Sequence, residues 1–254
     1  MKNKWNLDAK TALVTGATKG IGKAIALEML ALGARVIITA RTENDIEVLV
    51  NRWIDEGYKA LGIAADVSTE SGRRRIIDFA REAGGIDILV NNAGTNIRKR
   101  TMDYSPDEYR TLIDANLTSA FEMCRGAYPM LRESGDAAII NISSISGMRI
   151  VQTGAIYAAA KAGLSHLTRY LAVEWAKDGI RTNAIEPWYI ETPLTRPVLE
   201  NPRAMEKIIE RTPQARIGRP EEIAAAAAFL AMPGASYING QCITIDGGAA
   251  AYIF

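Results

Sequence analysis

Cysteine and histidine are scarce in this chain, which has two cysteines and one histidine among its 254 residues. Two cysteines are too few for a disulfide framework or a cysteine-based metal centre. Cys124 and Cys242 fall in a predicted helix and a predicted strand, where cysteine behaves as a small core residue. The single histidine, His166, falls inside a predicted helix, where packing is the simpler explanation. We therefore assign none of these residues a catalytic role and expect no metal site.

Long apolar runs and an excess of either charge are also missing. Lys and Arg number 30 against 29 Asp and Glu, and the formal net charge of +1 provides no basic surface for nucleic acid or an anionic membrane. We interpret the short basic runs at 73–75 and 98–100 as solvated faces. No apolar run approaches the roughly 18 residues of a membrane span, and the N-terminal residues contain no apolar signal region. These absences predict a cytoplasmic protein that has neither nucleic acid nor a membrane as a partner.

A linker rich in proline, serine or charge is missing from the middle of the chain, and no period of about 20 to 50 residues recurs. The length therefore favours one domain spanning residues 1–254. Short apolar segments alternate with helical patterns, which is typical of a parallel sheet covered by helices on both faces. Predicted strands occupy 11–15, 34–40, 60–64, 86–90, 138–142 and 242–245. Predicted helices occupy about 43–56, 106–128 and 155–177, and others begin near 69 and at 220. Ser68 and Ser105 are the predicted N-caps of the helices that follow them, and Pro106 suits a first turn.

A glycine-rich loop joins the first predicted strand to a helical pattern. Its spacing from Gly16 through Gly20 to Gly22 is G-x-x-x-G-x-G. Glycine lets the backbone approach a pyrophosphate closely, and the amide-rich N-terminus of the helix stabilises the phosphate charge. Strand, loop and helix together predict a nucleotide-phosphate site. The chain is therefore predicted to form a single doubly wound Rossmann-type α/β domain with a central parallel sheet of about seven strands.

A hydroxyl, a phenol and an ammonium follow at spacings that can converge on one carbonyl oxygen. Tyr157 and Lys161 stand one turn apart if the segment from residue 155 is helical. A cation beside a phenol favours phenolate, so we expect Lys161 to lower the pKa of Tyr157 from about 10 toward the working pH. Such a tyrosine is a usable general acid or base. Ser144 follows a buried strand, where doubly wound sheets place reactive groups, and its hydroxyl can hold the substrate oxygen.

Four features in a fixed order resemble the short-chain dehydrogenase/reductase family: the glycine loop, the Asn91-Asn92-Ala93-Gly94 segment, Asn116, and Ser144 with Tyr157-x-x-x-Lys161. The resemblance covers essentially the whole chain. It implies an oxidoreductase that interconverts a ketone and a secondary alcohol with a nicotinamide cofactor. It also implies that Asn116 joins Ser144, Tyr157 and Lys161 in catalysis, by holding a water that resupplies protons, and that Lys161 also binds the nicotinamide ribose.

The resemblance further implies positions that contact the cofactor. Asp66 is expected to accept a hydrogen bond from the adenine amino group, with Val67 beside the ring. Asn91 is expected chiefly to hold the central sheet together. The segment at about 187–192 is expected to pass the nicotinamide, with the Ile190 backbone at the carboxamide and Thr192 near the phosphates.

The residues after the second strand indicate which nicotinamide cofactor is preferred. An NAD enzyme usually places a carboxylate here for the ribose 2′-hydroxyl, whereas this chain has Arg41. Arg41 can pair with a 2′-phosphate, and Lys19 can supply a second cation, so the sequence favours NADP(H). The alternative is that both are surface charges and that Glu43 takes the ribose. The complete predicted cofactor site is Gly16, Thr18, Lys19, Gly20, Ile21, Gly22, Arg41, Asp66, Val67, Asn92, Ala93, Gly94, Tyr157, Lys161, Pro187, Trp188, Ile190 and Thr192.

The segment that begins at Pro187 departs from the family pattern. Most members have glycine after the proline, whereas here Pro187 is followed by Trp188. The indole either packs on the nicotinamide ring or closes one wall of the substrate pocket and excludes bulky ketones. The predicted substrate pocket is Ser144, Ser146, Tyr157, Trp188 and Tyr189. The weakly patterned stretch at about 191–212 resembles the family's variable substrate lid.

Within the family, the start at Trp5 and the run 174–181 look most like tropinone-reductase-like members, which identifies a branch and not a substrate. One alternative is a 3-oxoacyl-acyl-carrier-protein reductase. Such reductases resemble each other in having basic residues at the places where this chain has Glu133, Asp136 and Asp178, so docking of an acidic carrier protein is disfavoured here. The basic run 98–100 keeps that alternative open. A second alternative is a non-catalytic NADP-binding sensor, but such proteins typically lack the tyrosine or lysine. Assembly as a homodimer or homotetramer through the helices at about 107–128 and 155–177 is implied by the resemblance.

Overall fold

Parallel strands lie side by side in one sheet of the computed structural model, which describes residues 4–252. Residues 1–3 and 253–254 lie outside the described residues. The first three belong to the N-terminal stretch in which the sequence predicts no signal region. The strands are β1 (Thr11–Thr15), β2 (Arg35–Ala40), β3 (Ala60–Ala64), β4 (Ile88–Asn91), β5 (Ala137–Ile142), β6 (Ile180–Pro187) and β7 (Cys242–Ile245). Their order is β3-β2-β1-β4-β5-β6-β7, and every neighbouring pair is parallel. The predicted doubly wound α/β fold with about seven strands is confirmed.

Helices cover both faces of this sheet, because successive strand residues point to opposite sides. The helices are α1 (Gly20–Ala31), α2 (Glu43–Asp55), α3 (Glu70–Glu82), α4 (Pro106–Ile113), α5 (Ser119–Ser134), α6 (Ala155–Glu174), α7 (Arg196–Leu199), α8 (Pro202–Glu210) and α9 (Pro220–Ala231). Ala12 and Val14 of β1 pack in one apolar cluster with α1, α2 and α9. Leu13, between them, packs in the second cluster with α3, α5 and α6. None of the helices in the described part of the chain has the length and hydropathy that crossing a bilayer requires.

Two helix starts test the predicted N-caps. Ser105 caps α4, and its capping box with Glu108 confirms that prediction. The prediction that Ser68 caps α3 is wrong, because the hydroxyl of Thr69 accepts from the Gly72 amide at 3.1 Å. Both the amide and the hydroxyl of Ser68 instead donate to Oδ1 of Asp66, at 2.9 and 2.7 Å. Ser68 therefore orders the turn before the helix, and the cap is one residue later.

Several other boundaries differ from the sequence prediction. The helix predicted at 106–128 continues to residue 134 and is interrupted by a wider π turn over Asp114–Thr118. The helix predicted to reach residue 177 ends at Glu174 and continues as a 3₁₀ turn, Ala176–Asp178. The predicted lid region, which had little pattern, contains α7 and α8.

Some side chains lie in surroundings that their sequence context did not predict. His166, to which we assign no role, is exposed on α6 and does not pack in the core. Cys124 is buried as expected, while Cys242 on the edge strand β7 is only half-buried. Arg73, from a run interpreted as a solvated face, donates to the Val67 carbonyl oxygen at 2.8 Å.

The carboxyl ends of β1, β4, β5 and β6 meet at one edge of the sheet, because neighbouring strands run in the same direction. The hydroxyl of Thr15, the last residue of β1, accepts from the amides of Asn92 and Ala93, each at 3.0 Å. Residues that follow different strands are thereby brought together, as the doubly wound topology requires.

Candidate active site

Ser144, Tyr157 and Lys161 are brought together at this edge. Ser144 follows the end of β5, while Tyr157 and Lys161 lie one turn apart in α6. The Lys161 ammonium donates to the Ile142 carbonyl oxygen at 2.8 Å and lies 5.7 Å from the centroid of the Tyr157 ring. Lys161 is only 4% exposed. The predicted juxtaposition is therefore present, and the ammonium is fixed by the strand that also leads to Ser144.

Burial controls the ionisation of both side chains. It raises the pKa of the Tyr157 phenol above its ordinary value, although hydrogen bonding with Ser144 and the charge of Arg98 act in the lowering direction. Burial also lowers the pKa of Lys161 to about 8. The expectation that Lys161 lowers the pKa of the phenol is thus not met, because desolvation dominates and the ammonium is bound to a backbone carbonyl. A raised pKa keeps the phenol protonated at neutral pH.

Asn116 occupies the middle of the π turn and explains it. Its Nδ2 donates to the Leu112 carbonyl oxygen at 2.8 Å, which in a regular helix would accept from a backbone amide. Nδ2 also donates to the Thr95 carbonyl oxygen at 2.9 Å, and Oδ1 accepts from the Thr95 amide at 3.3 Å. The side chain therefore widens the helix and joins it to the segment after β4, a placement often associated with functional sites.

Gly94 lets Asn116 approach Lys161. A Cβ at this glycine would lie 2.7 Å from Asn116 Oδ1 and 3.6 Å from Lys161 Nζ. The amide and the ammonium therefore converge on one small space that only glycine leaves open.

Asn91 connects two strands and a helix below the site. Its Nδ2 donates to Asn141 Oδ1 at 2.9 Å and lies 3.2 Å from Sγ of Cys124. Asn141 in turn donates to Thr168 Oγ1 on α6 at 2.9 Å. Burial raises the pKa of Cys124 to about 12, so the thiol has the inert character of a core residue. The expected sheet-holding contacts of Asn91 are present.

The glycine loop is shaped to receive a phosphate. Gly16 and Gly20 have φ of +64° and +52°, in the left-handed region that favours glycine. A Cβ at Gly22 would lie 2.3 Å from Asn92 Nδ2, so this position allows the loop to pack on the neighbouring strand end. Lys19 precedes α1 and gives it no side-chain cap. The first amides of α1 are therefore available to an anion, so the residues present fit a pyrophosphate group.

A cleft of about 1010 Å³ runs along this edge of the sheet. Every predicted cofactor residue except Gly22 lines it, and so do Asn116 and Ser144. Gly22 lies beneath the loop instead. The prediction omitted residues of α4 and the turn after it that line the cleft, among them Asp107, Arg110 and Asp114. No local motif marks these residues, because they reach the cleft only through the packing of α4.

The predicted 2′-phosphate ligands are Arg41, directly after β2, and Lys19, in the glycine loop before α1. Arg41 and Lys19 are both exposed and line the cleft. Lys19 forms an ion pair with Asp45 at 3.2 Å, so one carboxylate already lies beside these two cations. Glu43, the alternative ribose ligand, is not among the cleft-lining residues.

A smaller pocket of about 60 Å³ opens beside Ser144 and Tyr157. All five predicted pocket residues line it. Residues that the prediction missed are Asn96, Arg98, Ile145, Val151, Thr153, Leu194 and Thr195. Nδ2 of Asn96 donates to the Thr153 carbonyl oxygen at 3.0 Å, while its buried Oδ1 accepts no hydrogen bond from the part of the chain that the structure describes. The pocket wall is therefore polar as well as aromatic.

Arg98 corrects the interpretation of its basic run as a solvated face. Although exposed, it lines the small pocket, and its charge lowers the pKa of both Tyr157 and Tyr189 against the raising effect of burial. Lys99 beside it forms an ion pair with Glu108 at 2.5 Å and behaves as expected of a surface residue. The signal that could have identified Arg98 is its place a few residues after the end of β4, on the edge where the site forms.

Trp188 lines both the cleft and the small pocket, so its indole contributes to the wall of each. Its ring meets that of Tyr189 edge-on, with centroids 4.8 Å apart. Its Nε1 donates to Thr212 Oγ1 at 3.1 Å, and that hydroxyl donates to the Ile208 carbonyl oxygen at 2.6 Å. The indole is therefore connected to the end of α8. Across residues 4–252, no group of three or more histidine, cysteine, aspartate or glutamate side chains is arranged to hold a metal ion.

Comparisons with known proteins agree with this architecture. A family model described as "Enoyl-(Acyl carrier protein) reductase" matches residues 16–250. A tropinone reductase homolog of Arabidopsis thaliana is 44% identical over 247 residues, which cover 96% of this chain and 94% of that protein.

Solved structures of similar proteins extend the likeness to three dimensions. A gluconate 5-dehydrogenase from Burkholderia cenocepacia, in complex with NADP and tartrate, has a TM-score of 0.95 and 34% identity over 99% of both chains. A 7α-hydroxysteroid dehydrogenase, complexed with NADH and 7-oxo glycochenodeoxycholic acid, has a TM-score of 0.93 and 32% identity, with 98% of this chain and 97% of that chain covered.

Proposed function

The chain belongs to the short-chain dehydrogenase/reductase family of oxidoreductases, and from that premise we propose that it interconverts a ketone and a secondary alcohol with NADP(H). The observation that carries the proposal is the meeting of Ser144, Tyr157 and Lys161 where a nucleotide-sized cleft joins a small pocket. A carbonyl in that pocket would lie between a hydroxyl, a protonated phenol and the end of the cleft. This is the arrangement that carbonyl reduction needs.

The bound nicotinamide supplies or accepts the hydride. In reduction, the Ser144 hydroxyl orients the carbonyl and stabilises the negative charge that develops on its oxygen. Tyr157 gives its phenolic proton to that oxygen as the carbon–oxygen π bond breaks. The raised pKa of the phenol suits this proton-donating role. In oxidation the same groups act in reverse.

Lys161 and Asn116 support the proton transfer. Lys161 is positioned by the Ile142 carbonyl oxygen, and we assign it to the nicotinamide ribose and to the return of a proton to Tyr157. Asn116 lies beside it in the widened turn, and its assigned task is to hold a water that connects Lys161 to solvent.

Preference for NADP(H) depends on one cation after β2 and another in the glycine loop. One similar structure holds NADP and another holds NADH, so family membership alone does not decide the preference. Arg41 and Lys19 line the adenosine end of the cleft and supply positive charge for a 2′-phosphate. Asp45 is bound to Lys19, which reduces its capacity to take a ribose hydroxyl.

The size of the small pocket favours compact substrates. Its volume of about 60 Å³ is well below the several hundred Å³ usual for ligand pockets, so bulky ketones require Trp188 or residues 191–212 to move. We assign residues 191–212 as the substrate lid, because Leu194 and Thr195 line the pocket and Thr212 holds the Trp188 indole.

Two alternatives predict different behaviour. A 3-oxoacyl-acyl-carrier-protein reductase needs basic surface for an acidic carrier, but Asp136 and Asp178 occupy two such places and pair with Lys10 and Arg132. A non-catalytic NADP sensor would bind NADPH without consuming it.

The test is NADPH and NADH consumption with a panel of small ketones, β-ketoesters and diketones, run beside Tyr157→Phe. General acid catalysis contributes about 10²- to 10⁴-fold, so we expect Tyr157→Phe to lose nearly all turnover while it still binds NADPH. Substantial residual turnover would exclude Tyr157 as the acid. NADPH binding without turnover of any carbonyl would instead favour the sensor.

We also propose a homodimer or homotetramer through α4, α5 and α6. Tyr170 and Val173 on α6 are 64% and 81% exposed, and Phe121 on α5 is 42% exposed. Apolar side chains on two neighbouring long helices favour burial against a second copy. Light scattering on the purified protein tests this proposal. The cytoplasmic location expected from the sequence stays a prediction.

A further inference from the structure

Arg98 is the one charged side chain among the described residues that line the small pocket. The other lining groups are hydroxyl, amide, aliphatic and aromatic side chains, and no carboxylate is among them. A compact pocket with a single positive group has no internal charge of the opposite sign to balance it. Because no carboxylate lines the pocket, the positive charge of Arg98 favours the binding of a negatively charged ligand there.

The charge of Arg98 is not used elsewhere in the protein. Within residues 4–252 it forms no ion pair, whereas Lys99 beside it is paired with Glu108. Arg98 therefore differs from its neighbour in being available to a molecule that enters the pocket. Its guanidinium has the planar, two-pronged donor geometry that matches a carboxylate.

The charge of Arg98 also reaches the reacting group. Burial raises the pKa of Tyr157 and of Tyr189, which lie on two different segments of the pocket wall, and the charge of Arg98 acts against that rise at both. A substrate held by Arg98 would therefore have the rest of its short skeleton close to the phenol and to Ser144. Arg98, Ser144 and Tyr157 line one pocket of about 60 Å³, so a single small molecule in it can lie close to all three.

We propose that the substrate is a small oxo acid, or the matching hydroxy acid, whose carboxylate pairs with Arg98 while its carbonyl lies at Ser144 and Tyr157. This inference rests on the proposed ketone–alcohol chemistry and adds the substrate class and a specificity-determining residue. Pairing with the carboxylate neutralises the guanidinium next to the phenol. Tyr157 then keeps its proton more firmly until the carbonyl oxygen accepts it.

The test compares acids with their neutral esters. The pairs are pyruvate, acetoacetate and levulinate with their methyl esters, and kcat/KM with NADPH is measured for each. At least one acid should exceed its ester by about 10-fold or more in the native protein, because a hydrogen bond to a charged group is worth about that factor. Arg98→Ala should lower kcat/KM for that acid by about 10- to 100-fold relative to kcat/KM for its ester, mainly through KM. Arg98→Lys should keep part of the preference.

Arg100→Ala is the matched control, since Arg100 is an exposed arginine of the same run that does not line the pocket. It should leave all acid-to-ester ratios unchanged. Ratios near one in the native protein, or a preference for the acid that survives Arg98→Ala, would overturn the proposal. A circular dichroism spectrum of each variant checks that it is folded.

A binding measurement separates this inference from the proposed function. Calorimetric titration of the same three acids into NADPH-loaded Tyr157→Phe, with and without Arg98→Ala, requires no turnover. The inference is supported if one acid binds to Tyr157→Phe and binds about 10-fold more weakly when Arg98→Ala is added, even if the native protein reduces none of the acids. If no acid binds, or if the loss of Arg98 changes nothing, the inference fails while reduction of neutral ketones can still stand.

Discussion

The indole Nε1 of Trp188 donates a hydrogen bond to Thr212 Oγ1 at 3.1 Å. Trp188 follows β6 and lines the small pocket with Ser144 and Tyr157, whereas Thr212 ends the segment at 191–212. Thr212 is 3% exposed and its hydroxyl also donates to the Ile208 carbonyl oxygen, so the contact joins the indole to α8 through a buried group. The wall of the pocket and the proposed lid are thus mechanically connected.

This contact predicts a change in substrate size preference. Trp188→Gly removes both the indole and the bond to Thr212, so we expect kcat/KM to rise for bulky ketones relative to compact ones. Thr212→Val is the control, because it removes the acceptor and keeps the volume of the side chain. It should loosen the lid at a cost of about 0.5–1.5 kcal/mol in the free energy of unfolding without admitting bulky ketones. If Thr212→Val broadens the size range as much as Trp188→Gly does, the lid and not the indole limits the pocket.

Arg41 predicts the cofactor preference. Arg41→Ala should raise the Michaelis constant for NADPH far more than that for NADH, because only NADPH carries the 2′-phosphate. Steady-state kinetics with both cofactors measures the difference. Glu43→Ala serves as the matched variant at the same turn and should affect neither constant strongly. Equal effects of Arg41→Ala on both cofactors, or a selective loss of NADH with Glu43→Ala, would instead assign the ribose to Glu43.

Lys161 predicts a pH dependence of stability. Burial lowers its pKa from 10.5 to about 8, so between these values the unfolded chain binds more protons at this residue than the folded one does. Stability conferred by Lys161 therefore rises as pH increases from about 8 to about 10, by up to about 1.4 kcal/mol per pH unit. Urea unfolding of the native protein and of Lys161→Met across that range isolates this contribution. Parallel stability curves for the two proteins would show that the pKa of Lys161 is not lowered in the folded protein.

The N-cap of α3 predicts a difference between two adjacent hydroxyls. Thr69→Ala removes the acceptor for the Gly72 amide and should cost about 1 kcal/mol in the free energy of unfolding. Ser68→Ala removes a donor to Asp66 and leaves that cap intact, so we expect a smaller loss from it. Thermal or urea unfolding measures both variants. A larger loss from Ser68→Ala would restore Ser68 as the residue that starts the helix.

Features that depend on short spacings were predictable. Tyr157 and Lys161 share a helix face because they are four residues apart, and Ser105 caps α4 because a proline and a glutamate follow at the right positions. The parallel sheet followed from apolar segments alternating with helical patterns. The order of motifs along the chain was enough to identify the family. The prediction of Ser68 as an N-cap failed because Thr69, its neighbour, also carries a hydroxyl that can cap the helix.

The sequence by itself therefore determined the fold and predicted the proposed catalytic set and phosphate loop, since these depend on short spacings in the chain or on a topology with few alternatives. Only the tertiary structure decided that Arg98 faces a pocket, that Trp188 is bound to Thr212 and that burial raises the pKa of Tyr157. These properties arise from desolvation and from contacts between segments distant in the chain. Neither leaves a periodic or spaced pattern in the order of the amino acids.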